Sequence, residues 1–310
     1  MSIAAAAAAP EPRFIDYGPG IGAALSFSVA DVLSKVVFAS GMDVLSLIAV
    51  RGILVAVAFW LWLRAAPPRV PHSPRARAIS IGLGLLYAAN TFLLMYAIQV
   101  LPLSIAILAY FIYPLATGIA AAAIGLEHVR WHSFVVALVA FGGLALMLNA
   151  QPGALAPIGL FAAFAAALTR VVGLLVTRAA LGGTDARITT WYSLAPPAAV
   201  FALALLMRGT VHFPLTAAGW IGFFGMGITT TVSTLWVYVS TARVGAFRTA
   251  LAMNLEPVLS SVLSFVLLGE AVTALQLVGG AVMVGALCGY NLSRVPSAKG
   301  APRTAGWKGL

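Results

Sequence analysis

The sequence predicts an all-α membrane protein of ten transmembrane helices, built as two inverted five-helix repeats around a central cavity. Of its 310 residues 62% are hydrophobic and only 8% are charged, and the mean hydropathy is +1.02. A soluble domain carries roughly a quarter charged residues. Runs of about 20 apolar residues, long enough to cross a hydrocarbon core of about 30 Å, recur along nearly the whole chain. Lipid is therefore the expected solvent.

An internal repeat divides the chain into two halves. Glu127 follows Pro114 by thirteen residues, and Glu270 follows Pro257 by the same thirteen. The offset of 143 residues also aligns Leu108 with Leu251, Ala109 with Ala252, and Gly142 with Gly285. An apolar chain that repeats at half length is typical of duplicated transporters, whose substrate site lies between the repeats near the bilayer midplane.

Five apolar segments in each half predict the spans. The first repeat covers residues 20–149 and the second residues 155–290, with cytoplasmic tails expected at 1–19 and 291–310. The spans are predicted at 20–38, 44–63, 78–98, 102–124, 132–149, 155–177, 188–206, 217–240, 246–267 and 272–290. Their Ala, Leu, Val and Gly content favours helices over the alternating segments of a barrel. An odd number of spans per repeat inverts the second copy, as alternating access requires.

The charge distribution predicts the orientation. If the N-terminus is cytoplasmic, fourteen of the eighteen Lys and Arg residues fall on the inner side and only Arg208 falls in an outer loop. This is the positive-inside asymmetry, and it predicts a bacterial-type inner-membrane protein with both termini cytoplasmic. The net charge of +10 is thereby explained by topology, so no nucleic-acid partner is expected.

Two segments carry a family resemblance. LPLSIAILAYFIYPL (101–115) with Glu127, and ARVGAFRTALAMNLEPVLS (242–260) with LLGE (267–270), resemble the paired signatures of EamA-type transporters of the drug/metabolite transporter superfamily. The resemblance implies a cavity lined mainly by helices 1, 3, 4, 6, 8 and 9, and export of small metabolites such as amino acids. It also implies that Glu127 and Glu270 fix helix ends and do not contact substrate. It names no cargo.

Charged residues inside spans are the first site candidates. Asp31 and Lys35 lie four apart on one face of span 1, and Arg170 lies in span 6. Each charge costs at least about 2.5–3.5 kcal/mol on insertion scales, so it must be paired or solvated. Either Asp31 pairs with Lys35 or Arg170, or Arg170 binds a substrate carboxylate while Asp31 responds to protonation. Arg51, in span 2, is expected near the periphery in a structural role.

Polar stripes on equivalent helices predict the cavity wall. In span 3, Tyr87, Asn90 and Thr91 are spaced to share one helical face. The repeat offset maps them onto Thr230, Ser233 and Thr234 in span 8. Two such stripes indicate a shared water-filled cavity. The alternative is that Ser and Thr hydroxyls bond their own backbone carbonyls and only pack.

Bulky side chains at similar depth form a second group of candidates. Trp236 continues the span 8 stripe. The other candidates of this group lie in equivalent turns of spans 4 and 9: Tyr110 and Tyr113 before Pro114, and Met253 and Asn254 before Pro257. These groups would stack a flat or apolar substrate, or else serve as ordinary packing.

The two prolines are predicted hinges, because each removes a backbone hydrogen bond from its helix. Glu256, which precedes Pro257, is a candidate for binding a proton or a substrate amine. Gly285 and Gly289 form a GxxxG motif, which would serve either a homodimer or close packing within one chain.

Together these features predict a secondary exporter of small organic metabolites, namely amino acids, with aromatic or other apolar ones favoured. The alternatives are an importer or exchanger of a nucleoside-like or vitamin-like compound, and a membrane sensor or scaffold without transport. The sequence contains no GxxxxGK[ST], HExxH or GxSxG motif and no clustered His, Cys or carboxylates. An enzyme is therefore disfavoured, and neither a metal nor a cofactor is expected.

Overall fold

The computed structural model describes residues 14–67, 72–101, 103–127, 129–149, 156–269 and 271–292, and within these ranges the regular structure is entirely helical. After a short 3-10 turn at Phe14–Tyr17, the helices are α1 Gly18–Ala39, α2 Val44–Ala65, α3 Pro74–Val100, α4 Leu103–Tyr110, α5 Tyr113–Ala123, α6 Trp131–Leu148, α7 Pro157–Ala180, α8 Ala186–Arg208, α9 Ala217–Val244, α10 Ala246–Met253, α11 Leu255–Leu268 and α12 Ala274–Leu292. Glu270 and most of both predicted tails lie outside the described residues.

The helices have the length and hydropathy of membrane spans. In the described part of the chain, nine helical stretches are long and apolar enough to cross a bilayer, and α12 contains a shorter apolar segment, Ala274–Cys288. Large apolar side chains such as Leu206 and Trp131 point outward and are 77% and 78% exposed. An apolar outer surface of this extent fits a lipid environment. The predicted all-α membrane fold is confirmed.

Successive spans run in opposite directions, which defines two faces of the bundle. We call the face where α1 begins the tail face; it also carries the described connecting residues 66–67, 72–73, 124–127, 129–130, 181–185 and Gly245. We call the opposite face the far face; it carries the connections around residues 40–43 and 209–216.

Two spans are interrupted at equivalent places. The fourth span consists of α4 and α5, and the ninth of α10 and α11. The offset of 143 maps Leu103–Tyr110 onto Ala246–Met253, so the breaks coincide in the two repeats. Each break lies just before a proline of the repeated pair, Pro114 or Pro257, whose missing N–H cannot continue the hydrogen-bond ladder. The internal repeat is therefore visible in the backbone, while the hinge role stays a prediction.

The packing follows the same pseudo-symmetry. Helix α1 packs along α9, and its counterpart α7 packs along α3; α2 pairs with α8 and α6 with α12 across the repeats. The approach of α1 to α9 depends on Gly22, since a Cβ there would overlap the Trp236 ring. Close contact between α6 and α12 occurs at Gly143 and Gly279, where each added Cβ would meet the other's carbonyl oxygen.

The GxxxG motif of α12 does not make this close contact at Gly285. A Cβ built on Gly285 has no atom within 4 Å, so this position faces away from the packed interior. Pairing of two copies through this side of α12 stays a prediction.

Candidate functional site

A cavity of about 320 Å³ lies between the repeats, near the lower end of the range for small-molecule sites. Its walls come from α1, α3, α4, α5, α7, α9 and α11, together with α2. Phe38 and Val44, at the far ends of α1 and α2, belong to the lining, so the cavity extends toward the far face. The spans that the family resemblance implied therefore contribute, and span 2 joins them.

Arg170 supplies one charged wall. Its guanidinium carbon lies 5.8 Å from the centroid of the Tyr113 ring, and it interacts electrostatically with Tyr110 and Glu256. Its Nε atom is buried without a hydrogen-bond partner, and no ion pair of Arg170 occurs among the described residues. The alternative of an Asp31–Arg170 ion pair is thus not realised in this conformation. A buried N–H without an acceptor is costly, and an anionic ligand would satisfy it.

Two carboxylates form the opposing wall. Asp31 Oδ2 accepts a hydrogen bond from Ser260 Oγ at 2.7 Å, which joins α1 to α11. Glu256, at the start of α11, also lines the cavity and interacts electrostatically with both Asp31 and Arg170. The hydroxyl of Ser28 donates to the backbone oxygen of Glu256 at 2.9 Å and holds the helix break against α1. The lining of the cavity thus combines a cation on α7 with two acids, on α1 and α11.

Lys35 does not line the cavity. Its ammonium donates to Ser264 Oγ of α11 at 3.4 Å, and it interacts electrostatically with Asp31 four residues earlier. Lys35 therefore contributes to the α1–α11 contact in this conformation.

Four residues line both this cavity and a smaller one on the tail side: Phe27, Tyr87, Asn90 and Arg170. We call these four residues the partition, and the tail-side cavity measures only about 60 Å³. Asn90 Nδ2 donates to Ala166 O at 2.7 Å and to Thr169 Oγ1 at 2.9 Å, which fixes α3 against α7 beside Arg170. Access to the partition is therefore wider from the far face.

Arg51 lies in the cavity and not at the predicted periphery. Its Nη1 donates to Thr230 Oγ1 of α9 at 2.9 Å, and both side chains line the main cavity. The comparison of polar positions between the two repeats did not identify Arg51, because the residue at the equivalent position of the second repeat is the apolar Leu194.

The remaining predicted residues divide into two groups. Thr91 and Tyr110 line the main cavity, and the Tyr110 hydroxyl hydrogen-bonds to the Asn90 side chain. The others line none of the cavities described here: Ser233 is buried and donates to Thr229 O at 2.6 Å, Met253 and Asn254 are 1% and 4% exposed beside the helix break, and Trp236 packs on Gly22. Their geometry matches the packing interpretation that the sequence left open.

The tail face is closed by what we call the Glu127 cap. Glu127 Oε1 accepts from Ala246 N at 2.5 Å and Oε2 from Phe247 N at 3.2 Å, at the N-terminus of α10. Arg178 Nε lies 3.8 Å from Oε1, and Arg178 Nη1 donates to Ala242 O at 2.7 Å. A carboxylate at a helix N-terminus is favoured by the helix dipole. The cap therefore ties the first repeat to the α9–α10 connection.

A second cluster joins two connections at the far face. Arg208 donates to both Asp43 oxygens at 2.8 and 3.0 Å, and His212 Nδ1 lies 2.6 Å from Asp43 Oδ2. The Arg208 guanidinium holds the pKa of Asp43 well below its usual range. Sequence reasoning treated Arg208 only as a topological charge and missed this cluster, because its partners are more than 160 residues apart.

Residues 19–149 and 157–292 each match the EamA-like transporter family. The chain belongs to that family. As an EamA-like transporter it is a multi-pass membrane protein that transports small molecules. No curated protein sequence matches it. One solved crystal structure, described only as that of a protein, has the same fold with a TM-score of 0.77 and 20% identity, covering 91% of this chain and 98% of its own.

Proposed function

We propose that this EamA-like transporter is a secondary exporter of amino acids, with aromatic or other apolar ones favoured. The observation that carries the proposal is the buried, unpartnered Nε of Arg170, whose side chain lines the same cavity as Asp31 and Glu256. An α-amino acid carries a carboxylate and an ammonium group close together, so it complements a cation facing two acids.

Each cavity residue receives a role in this proposal. Arg170 binds the substrate carboxylate, and Glu256 with Asp31 receives the ammonium group. Tyr110 contributes an aromatic surface next to Tyr113, with ring centroids 5.4 Å apart, which favours a flat side chain. Either acid would also serve to couple transport to protons.

Alternating access supplies the transport step. The cavity extends toward the far face, while the Glu127 cap closes the tail face. Movement at the helix breaks before Pro114 and Pro257 would exchange the open and closed faces. The described arginines at span ends lie mainly on the tail face, which supports cytoplasmic termini flanking the repeats at 20–149 and 155–290, in a bacterial-type inner membrane. The structure is then outward-facing.

The test is flux from proteoliposomes loaded with a mixture of amino acids, nucleosides and vitamins and read by mass spectrometry. We expect selective loss of amino acids under an imposed proton gradient, and a fall of at least about tenfold for Arg170→Gln, since unpairing a buried charge costs about 2–5 kcal/mol. Arg75→Gln, which removes an exposed tail-face arginine, is the matched control.

Other outcomes would redirect the proposal. Selective loss of a nucleoside or vitamin from the liposomes would show that the substrate is that compound and not an amino acid. Amino-acid flux that survives Arg170→Gln would show that Arg170 does not bind the substrate. Ligand binding without any flux would favour a sensor.

A further inference from the structure

The side chain of Arg51 carries a charge that the amino-acid proposal does not use. Within the described residues its one hydrogen bond goes to Thr230 Oγ1, at 2.9 Å, and it has no ion pair. A guanidinium has five N–H donors in a planar fork and stays protonated in proteins. One threonine hydroxyl leaves most of that capacity free on the cavity wall.

The surrounding helices provide no compensating acid. Along Val44–Ala65 the only other charged residue is Arg64, and Asp43, just before that helix, is engaged by Arg208. Asp31 and Glu256 lie on the α1 and α11 wall, and neither forms an ion pair with Arg51. A permanent cation in a span costs at least about 2.5–3.5 kcal/mol on insertion scales. Such a residue marks a functional contact more often than a structural one.

The two guanidiniums belong to one continuous site. Tyr87 lines the main cavity and the tail-side cavity, and it interacts electrostatically with both Arg51 and Arg170. Arg51, on α2, and Arg170, on α7, therefore line the same cavity and share Tyr87 as a neighbour.

Space is available beside Arg51 for a ligand group. A cavity of about 70 Å³ lies between α2, α3, α8 and α9, and Arg51 and Thr230 line both it and the main cavity. This is room for at least two water-sized groups, which suits a carboxylate. Thr91 and Thr231 add hydroxyl groups to an otherwise mainly apolar wall.

We propose that Arg51 and Thr230 form a second anion subsite, which binds the distal carboxylate of an acidic amino acid while Arg170 binds the α-carboxylate. The assignment of the α-amino group rests on the proposed function, whereas anion binding by Arg51 does not. The cargo range then includes dicarboxylic amino acids in addition to apolar ones.

The experiment compares glutamate with its near-isostere glutamine, by calorimetric binding to the purified protein in nanodiscs. We expect the wild type to bind glutamate at least about tenfold more tightly. Arg51→Gln should abolish this preference, because it weakens glutamate binding more than glutamine binding. Arg51→Lys and Thr230→Val should retain part of the glutamate preference. Arg170→Gln should lower the affinity for both amino acids, and Arg75→Gln should change neither affinity.

The outcomes separate this inference from the proposed function. Equal wild-type affinity for the two amino acids, or a preference that survives Arg51→Gln, would overturn it. If Arg51→Gln does not fold, the glutamate preference of Arg51→Lys and of Thr230→Val decides. A ratio of glutamate to glutamine affinity equal to that of the wild type in both variants would count against the second anion subsite. If no amino acid binds, the proposed function fails, but the anion subsite can still be tested by comparing the binding of glutarate, a dicarboxylate, with that of butyrate. Glutarate binding that depends on Arg51 supports the subsite, and the absence of such binding rejects it.

Discussion

Replacing Glu127 by glutamine is expected to open the tail face. Glutamine keeps the size of the side chain but removes its charge and one of its two acceptors. It can therefore satisfy the N–H of Ala246 or of Phe247, but not both, and it no longer pairs with Arg178. Because Glu127 holds the first repeat to the N-terminus of α10, the loss of these contacts destabilises the conformation in which the tail face is closed.

The size of the effect follows from these contacts. A hydrogen bond to a charged group contributes about 1.5–3 kcal/mol, and a carboxylate at a helix N-terminus adds about 0.3–1 kcal/mol. The Glu127 side chain is only 14% exposed, so solvent screening is limited. A net loss of about 2–3 kcal/mol would raise the ratio of open to closed molecules about 30- to 150-fold.

Thiol accessibility measures this shift. Ser193 is 2% exposed and lines the tail-side cavity, so Ser193→Cys in a Cys288→Ser background reports opening toward that face. An impermeant maleimide is applied to membrane vesicles of both orientations, and we expect Glu127→Gln to accelerate labelling at least about tenfold from one side only. Arg130→Gln, a neighbouring exposed change, is the control. Labelling rates within twofold of the parent, in a folded variant, would refute the reasoning.

Three further predictions concern stability and are read from the unfolding temperature. Gly245→Ala should lower it because the backbone φ is +100° and a Cβ would meet the cap carboxylate, whereas Gly82→Ala, in open surroundings, should not; equal effects would argue against the cap. Gly22→Ala should cost about 1–3 kcal/mol by overpacking the α1–α9 contact, and a Trp236→Ala second change should recover part of this; strict additivity would contradict direct contact. Asp43 has a lowered folded pKa, so its stabilisation is complete above its ordinary pKa of 3.8 and declines as the pH falls below that value. The difference in unfolding temperature between wild type and Asp43→Asn should therefore narrow as the pH falls from about 5 toward 3, and a difference that stays the same over this range would show that the carboxylate charge is irrelevant.

The architecture was predictable from the sequence because the bilayer permits few alternatives. Lipid offers no hydrogen bonds to the backbone, so each long apolar run must become a helix. The repeat offset then gave the inverted arrangement, and the prolines at 114 and 257 marked the places where the fourth and ninth spans break. These features depend on local composition and on sequence periodicity.

Only the tertiary structure decided which of the candidate side chains meet in the cavity. Arg51 was expected at the periphery, but α2 presents it to Thr230 of α9. Trp236, Ser233 and Met253 fitted the same polar or aromatic pattern as the lining residues. In the structure Trp236 packs on Gly22 of α1, Ser233 donates to Thr229 O of its own helix, and Met253 is buried beside the helix break. The reason is that a helix in lipid is apolar all round, so its rotation about its own axis is set by contacts with other helices. The sequence by itself determined the helices and their repeat, and packing determined the direction in which each residue points.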